Sequence, residues 1–322
     1  MDRNVDAASR MISVVVITRN TRDLLLGLLR SVHQDRNVLA ETEEIIVVDN
    51  GSSDGTAEAV GHEFREVQVI RNEGNAGFAA AVNQAWRKAR GEMILLLNSD
   101  TRLIKGELLP LIRFMVENPS VGVAGPALVY EDMAPQRSFA SIPSLIQEIV
   151  PRFLLELLSP DRHGGKTWGS REPEPVDSLI GAALVIRRRV LEAVGGFDER
   201  FFFFLEETDF CKRVRQSGSQ VIFFPSARIV HYQGKTVGAN WAKGRIEYNI
   251  SLDKFIRKHH GRLYHGVFRA VRAAKTVLSV IGSTVIFPLM LFNRSMRRRY
   301  GYHVRLLVWY VKGCGDTGGL RE

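Results

Sequence analysis

The sequence predicts an α/β fold: a doubly wound, mainly parallel sheet flanked by helices, followed by a basic, apolar helical tail. Three observations predict it. Short β-branched apolar runs alternate with segments whose leucines recur at helical spacing. The runs are apolar throughout, as in strands covered by helices on both faces. Three of them end in a polar cluster, at Thr18–Asn20, Asp49–Asp54 and Asn98–Asp100, and the carboxyl ends of strands are where open parallel sheets bind ligands.

Taken in order, Ile12–Ile17 (ISVVVI) is the first strand. Thr21–His33 carries Leu24, Leu25, Leu28, Leu29 and Val32 on one helical face. Ile45–Val48 is a second strand and leads into DNGSSDGT. A helix over Thr56–Phe64, a short strand over Val67–Ile70 and a helix over Ala79–Ala89 follow. Met93–Leu97 (MILLL) is the next buried strand.

Glu131–Pro175 breaks the pattern. Six prolines and the pair Gly164-Gly165 mark it as a mobile or inserted region (131–175), with an apolar, broken helix over Ile142–Leu158. Regular structure returns at Val176–Ile186. A helix over Arg188–Val194 ends at Gly195-Gly196, the residue type that caps helices in the left-handed conformation. Val221–Phe224 reads as a further strand.

The charge divides the chain. Its 322 residues include 44 Lys/Arg and 35 Asp/Glu, a net charge of +9. Thirteen of those bases and no acid lie between Lys254 and Gly315, which leaves 31 bases against 35 acids elsewhere. The basicity therefore belongs to the tail. A nucleic-acid-binding protein would explain the basic tail but not the acids at three strand ends. In Arg262–Lys275 one helical face carries Leu263, Tyr264, Val267, Phe268 and Val271, and the other carries Arg262, His265, Arg269, Arg272 and Lys275. This is an interfacial pattern. Thr276–Phe292 is uncharged but holds Gly282 and Pro288, and Arg294, Arg297, Arg298 and Arg299 close it. The expected domains are 1–253, catalytic, and 254–322, membrane-associating. Two distant cysteines and an N-terminus without an apolar run imply a reducing compartment and no signal peptide.

Each polar cluster has a bland and a chemical reading. Asp54 suits a helix cap, and Asp49 suits hydrogen bonding to a nucleobase or ribose. Gly74 and Gly77 open a helix whose N–H groups can approach an anion. Asp100 is either a turn acid or a ligand for Mg2+ or Mn2+.

Together the segments VVVITRN (Val14–Asn20), VVDNGSSDGT (Val47–Thr56), NEGNAGFAAAVN (Asn72–Asn83), LLLNSD (Leu95–Asp100), GAALVIRR (Gly181–Arg188) and GGFDERFFFFLEETDFCKRVRQSG (Gly195–Gly218) resemble the family 2 glycosyltransferases of the GT-A fold. The resemblance is closest to bacterial rhamnosyltransferase-type enzymes. It implies a nucleotide-sugar site at Thr18, Asn20, Asp49, Asp54, Asn75, Gly77, Asn98 and Asp100. It implies an acceptor side at Gly181 and Ala182, with Glu206 and Asp209 either acceptor-binding or structural. Glu207 stands where the family's general base is expected, as a Glu in place of the usual Asp. Asp100 is the last acid of a triplet whose first position is Asn98, and His231 is the second expected metal ligand.

The implied activity is inverting, metal-dependent transfer of a sugar, rhamnose first, from a nucleoside diphosphate sugar (dTDP-rhamnose, or a UDP-sugar) to a lipid-linked or polysaccharide acceptor in the cell envelope. The expected cofactor is Mg2+ or Mn2+. The expected place is cytoplasmic, on the anionic inner face of the plasma membrane through residues 254–315. The alternatives are a nucleotidyltransferase that makes the nucleotide sugar and a glycosyltransferase using a UDP-hexose.

Overall fold

The computed structural model describes residues 11–158, 172–232, 241–285, 293–316 and 318–320. The chain forms two compact units. The first comprises 1–142, 159–199 and 206–236, and the second 143–158, 200–205 and 237–322.

The first unit is built on a nine-stranded mixed sheet. β1 (Ile12–Thr18) leads to α1 (Arg22–Gln34), α2 (Arg36–Ala40) and β2 (Thr42–Asp49). Next come α3 (Thr56–Glu63), β3 (Gln68–Arg71), α4 (Phe78–Lys88), β4 (Met93–Asn98), β5 (Thr101–Leu103), α5 (Leu109–Glu117) and β6 (Val121–Val129). Later segments add β7 (Phe139–Ala140), β8 (Glu174–Pro175), β9 (Ser178–Leu179), β10 (Ala183–Arg187), α8 (Arg188–Val194), α9 (Glu206–Gln216) and β11 (Gln220–His231). The strand order is β3-β2-β1-β4-β10-β6-β11-β5, with β8 beside β11, while β7 and β9 pair separately.

The apolar runs explain this sheet. On one face Ile12, Val14 and Val16 join Leu25, Leu28, Leu29 and Val32 of α1 in a single core. On the other face Val15, Ile46 and Leu96 are just as buried. Each such side chain, taken out of water, stabilises the fold by roughly 1.5–3 kcal/mol. Helix α8 has the expected bounds, and Gly195 ends it with φ 79°, a left-handed cap.

Strand register decides where the polar clusters fall. β1 lies parallel between β2 and β4, with Thr18 opposite Asp49 and Ile17 opposite Asn98. β10 runs antiparallel to β4 and starts opposite Leu97, so Gly181-Ala182 arrives at the same edge. β11 runs parallel to β6 and ends with His231 opposite Thr101 of β5.

The second unit holds α6 (Leu145–Ile149), α7 (Arg152–Leu158), α10 (Trp241–His259), α11 (Arg262–Val285) and α12 (Arg294–Val311). The expected break in the 142–158 helix is there, at Val150-Pro151. That segment belongs to the unit that holds the tail: Glu148 pairs with Arg272 and Lys275, and the Tyr264 hydroxyl accepts from Leu145 N at 2.6 Å. The expected domain boundary at 253 falls inside α10, which is continuous through it. Phe201–Phe204 also lie in this unit, where Ser251 Oγ donates to Phe203 O and Phe204 meets the Tyr248 ring edge-on. The last part of the uncharged stretch, 286–292, lies outside the described residues. Among the described residues no helix is long and apolar enough to cross a membrane.

Candidate active site

The carboxyl edge of the sheet gathers the residues expected to bind a nucleotide sugar. Thr18 Oγ1 bonds Thr21 Oγ1 at 2.9 Å, and Thr21 Oγ1 bonds Ser99 Oγ at 2.7 Å, a hydroxyl chain joining β1 to the triplet after β4. Asp49 is buried and accepts from Ser52 N at 2.8 Å, which curls the DNGSSDGT loop back over the end of β2. Asn20, at φ 53°, accepts from Ser53 N at 2.8 Å and donates its own N–H to Ser52 Oγ at 2.9 Å. Asp54 accepts from Arg22 N, Thr56 N and the Thr56 hydroxyl. Burial raises its pKa, but those bonds outweigh it and hold the carboxyl below the usual range. The structure thus uses Asp54 as a clamp between α1 and α3.

A second loop closes on the first. Gly51 has φ 78°, and a Cβ there would stand 2.8 Å from backbone atoms of Gly74, so only glycine lets the two loops touch. Asn50 makes this junction. Its Oδ1 accepts from Asn72 Nδ2 and Ala76 N, both at 3.0 Å. Its Nδ2 donates to Asn75 Oδ1 at 3.0 Å and to Gly77 O at 3.3 Å. Asn75 is thereby committed to building the loop, and it also accepts from Gly77 N. Asn50, Thr21 and Ser99 were not singled out from the sequence, although all three sit within the quoted motifs or next to one.

The other half of the edge carries the acids. Asn98 N donates to Ala182 O at 2.9 Å, which joins the triplet to the Gly181 turn. Among the described residues the Asn98 side-chain oxygen is buried without a hydrogen-bond partner. Glu207, in the first turn of α9, lies along Gly181, its Cβ 3.5 Å from where a Cβ of residue 181 would be. Burial pushes the Glu207 carboxyl up to about 7, although the N–H groups of Glu207 and Thr208 pull it down. The three acids of α9 separate by environment. Glu206 is buried at 5% exposure, Asp209 is fully buried, and Glu207 alone keeps partial access. Asp209 pairs with Arg213 at 2.8 Å, and Arg213 donates on to Val194 O and Gly196 O, tying α9 to the end of α8.

Asp100 and His231 meet across β5 and β11. Tyr232 N donates to Asp100 O at 2.8 Å, and His231 Nε2 stands 3.6 Å from Asp100 Oδ1. Burial lowers the His231 pKa, and Asp100 opposes the shift without cancelling it. A neutral imidazole nitrogen and a carboxylate facing each other at this distance are a donor pair that suits Mg2+ or Mn2+ with further ligands from a diphosphate. Among the described residues no group of three or more His, Cys, Asp or Glu side chains gathers at one point.

The chain is similar to known proteins. A family model described as Glycosyl transferase family 2 matches residues 13–175. The N-acetylglucosaminyl-diphospho-decaprenol L-rhamnosyltransferase of Mycobacterium tuberculosis is 27% identical over 273 residues, covering 79% of this chain and 85% of the relative. The low-salt glycan biosynthesis hexosyltransferase Agl10 of Haloferax volcanii is 25% identical and covers 55% of each chain. Among solved structures, mannosyltransferase PcManGT from Pyrobaculum calidifontis, in complex with GDP-Man and Mn2+, superposes with TM-score 0.57 at 18% identity. That likeness covers 95% of this chain and 87% of the other. GalNAc-T7 with UDP, GalNAc and Mn2+ gives 0.59 at 15% identity over 94% of this chain and 57% of that one. With its family match spanning half the sequence and the shared fold nearly all of it, the chain belongs to glycosyl transferase family 2 and is a glycosyltransferase of the GT-A fold.

Proposed function

We propose that this glycosyltransferase moves a sugar, rhamnose in the first instance, from a nucleoside diphosphate sugar to a lipid-linked or polysaccharide acceptor of the cell envelope, with inversion at the anomeric carbon. The observation that carries the reading is Glu207, a partly accessible carboxylate at the sheet's ligand-binding edge whose pKa is pushed up to about 7. A base with that pKa is half ionised at neutral pH and strong enough to take a hydroxyl proton as the bond to it forms. Glu207 takes the proton of the acceptor hydroxyl, the oxygen bonds to the anomeric carbon, and the bond from that carbon to the diphosphate breaks with its electron pair leaving on the nucleoside diphosphate. Asp100 and His231 would hold Mg2+ or Mn2+, which supplies positive charge beside the diphosphate oxygens. Membership of the family sets aside nucleotidyl transfer. The choice of rhamnose leans on the mycobacterial relative. A panel of dTDP-rhamnose, UDP-hexoses and GDP-mannose with Mn2+ or Mg2+, followed by nucleoside diphosphate release, tests it. Release from dTDP-rhamnose above the others is expected, and turnover of a UDP-hexose alone replaces the sugar.

We further infer that the second unit docks on an anionic membrane surface. Along α11 the residues Leu263, Val267, Ala270, Ala274, Leu278, Ile281 and Val285 follow steps of three and four, and every one is exposed. Leu263 is 84%, Leu278 68% and Val285 77% exposed. Exposed Arg262 and Lys275 flank that stripe. The same unit exposes Ile146, Ile149, Phe153 and Leu157 on α6 and α7, also at helical steps. Apolar stripes bordered by bases suit a lipid interface. In flotation with phosphatidylglycerol vesicles the wild-type chain is expected to rise with the lipid and the double variant Leu278→Glu, Ile281→Glu to stay behind. Equal recovery of both, or binding only to a second copy of the chain, rejects the membrane.

A further inference from the structure

The environment of His231 contains a residue to which neither the motifs nor the proposed mechanism gives a role. Gln136 is 2% exposed and sits just after β6, in the region the sequence reads as an insert. Its side chain spans the gap to the end of β11. Gln136 Nε2 donates to His231 O at 2.6 Å and to Val129 O at 3.3 Å. Gln136 Oε1 lies 2.9 Å from His231 Nδ1. Its backbone is pinned as well, since Gln136 N donates to Leu128 O at 2.8 Å and Ser138 Oγ donates to Gln136 O at 3.2 Å.

The hydrogen-bond inventory leaves one arrangement. Carbonyl oxygens accept only, so the amide end near Val129 O and His231 O must be the NH2 group. The other end is then the amide oxygen, also acceptor only, and it faces Nδ1. Nδ1 must carry the proton. In a neutral imidazole the other nitrogen then holds a lone pair. That nitrogen, Nε2, is the one 3.6 Å from the Asp100 carboxylate.

We propose that Gln136 is a positioning residue: it fixes the His231 ring in the Nδ1–H tautomer, so that Nε2 is presented beside Asp100 as a free donor for a divalent cation. The cation part rests on the metal reading given under Proposed function; the tautomer part does not. Without Gln136 the ring is free to turn its proton to Nε2, where Asp100 accepts it and the lone pair is lost to a metal. Outer partners of metal-binding histidines act in this way, and removing them weakens metal binding about 10- to 100-fold.

The test uses the full chain labelled with 15N-histidine, free of metal, at a pH where His231 is neutral, its signal identified by its loss in His231→Asn. Wild type is expected to show a protonated Nδ1 and an unprotonated Nε2. Gln136→Met, close in volume and without the amide, is expected to shift the proton toward Nε2. Its affinity for Mn2+ alone, read by electron paramagnetic resonance, should fall at least 10-fold. A proton on Nε2 in wild type overturns the proposal, and that spectrum decides even if Gln136→Met does not fold. An unchanged tautomer in Gln136→Met overturns it too. A switched tautomer with unchanged Mn2+ affinity overturns the link to metal. Wild type that binds no Mn2+ defeats the metal reading, while the spectra still decide what Gln136 does.

Discussion

Glu207 lies along the bare face of Gly181, so that a Cβ at Gly181 would sit 3.5 Å from Glu207 Cβ and 3.6 Å from its Cγ. These are ordinary van der Waals separations, so Gly181→Ala is expected to fold and melt within a few degrees of wild type. Gly181→Val adds two methyl groups where the carboxylate lies and has to displace it. Its kcat should fall at least 10-fold, equivalent to about 1.4 kcal/mol, with donor affinity unchanged. A valine variant as active as wild type would show that Glu207 is not the base.

Replacing the acid by its amide separates chemistry from binding. Glu207→Gln should lose about 10²–10⁴ in kcat while nucleotide-sugar affinity stays within about twofold. In wild type the base has to be ionised, so kcat should fall as pH drops through about 7. An acid limb near 4.5 in the pH–rate profile argues for a different group.

The same shift has a stability consequence of opposite sense. The folded-state pKa of Glu207 lies above the unfolded value, so the neutral acid favours the fold below about 4.5 and this contribution is lost as pH rises through about 7. Glu207→Gln removes the penalty of ionising a desolvated carboxyl. At pH 8 the variant should be more stable by about 1–2 kcal/mol, a figure discounted for partial exposure, and at pH 4 the difference should vanish. Denaturant titrations at the two pH values measure it.

Asp209, two residues away, should behave in the opposite way. Its fully buried carboxylate is ion-paired with Arg213. Asp209→Ala leaves a guanidinium without its counter-charge and should cost about 3 kcal/mol of stability, with kcat per folded molecule near wild type. A stable Asp209→Ala that has lost turnover would place the acid in the acceptor site.

Asp100→Asn keeps the shape of the side chain and removes its charge. Donor binding in the presence of Mn2+ should weaken about 10-fold or more, equivalent to about 1.4 kcal/mol, and its dependence on Mn2+ concentration should flatten. Titration calorimetry with and without metal checks both, and an undiminished metal dependence removes Asp100 from the ligand set.

The sheet could be read because its strands are continuous apolar runs, and the α8 helix because a left-handed glycine follows it. The broken helix at 142–158 could be read from Pro151, but its partner could not. Glu148 finds Arg272 and Lys275 more than 120 residues away, and no local pattern encodes that pairing. The same limit hid Gln136. It lies in a proline-rich stretch without periodicity, and its meeting with His231 depends on how β6 and β11 align. Among the acids of α9 the resemblance singles out Glu207, and burial separates its partly accessible side chain of raised pKa from the fully enclosed Asp209 ion pair. The charge boundary at 253 that the composition displays lies within α10, which runs through it without a break.

The four hydrogen bonds of the Asn50 amide join the loop after β2 to the loop after β3 through protein groups alone. Ordering entropy that a floppy loop pair would surrender on capture has therefore already been given up during folding. The amide of Ala76 should exchange slowly with deuterium in the free protein, at rates close to those of the strand interiors. Donor capture should then follow simple one-step kinetics, with a rate set by diffusional encounter and charge instead of by loop closure.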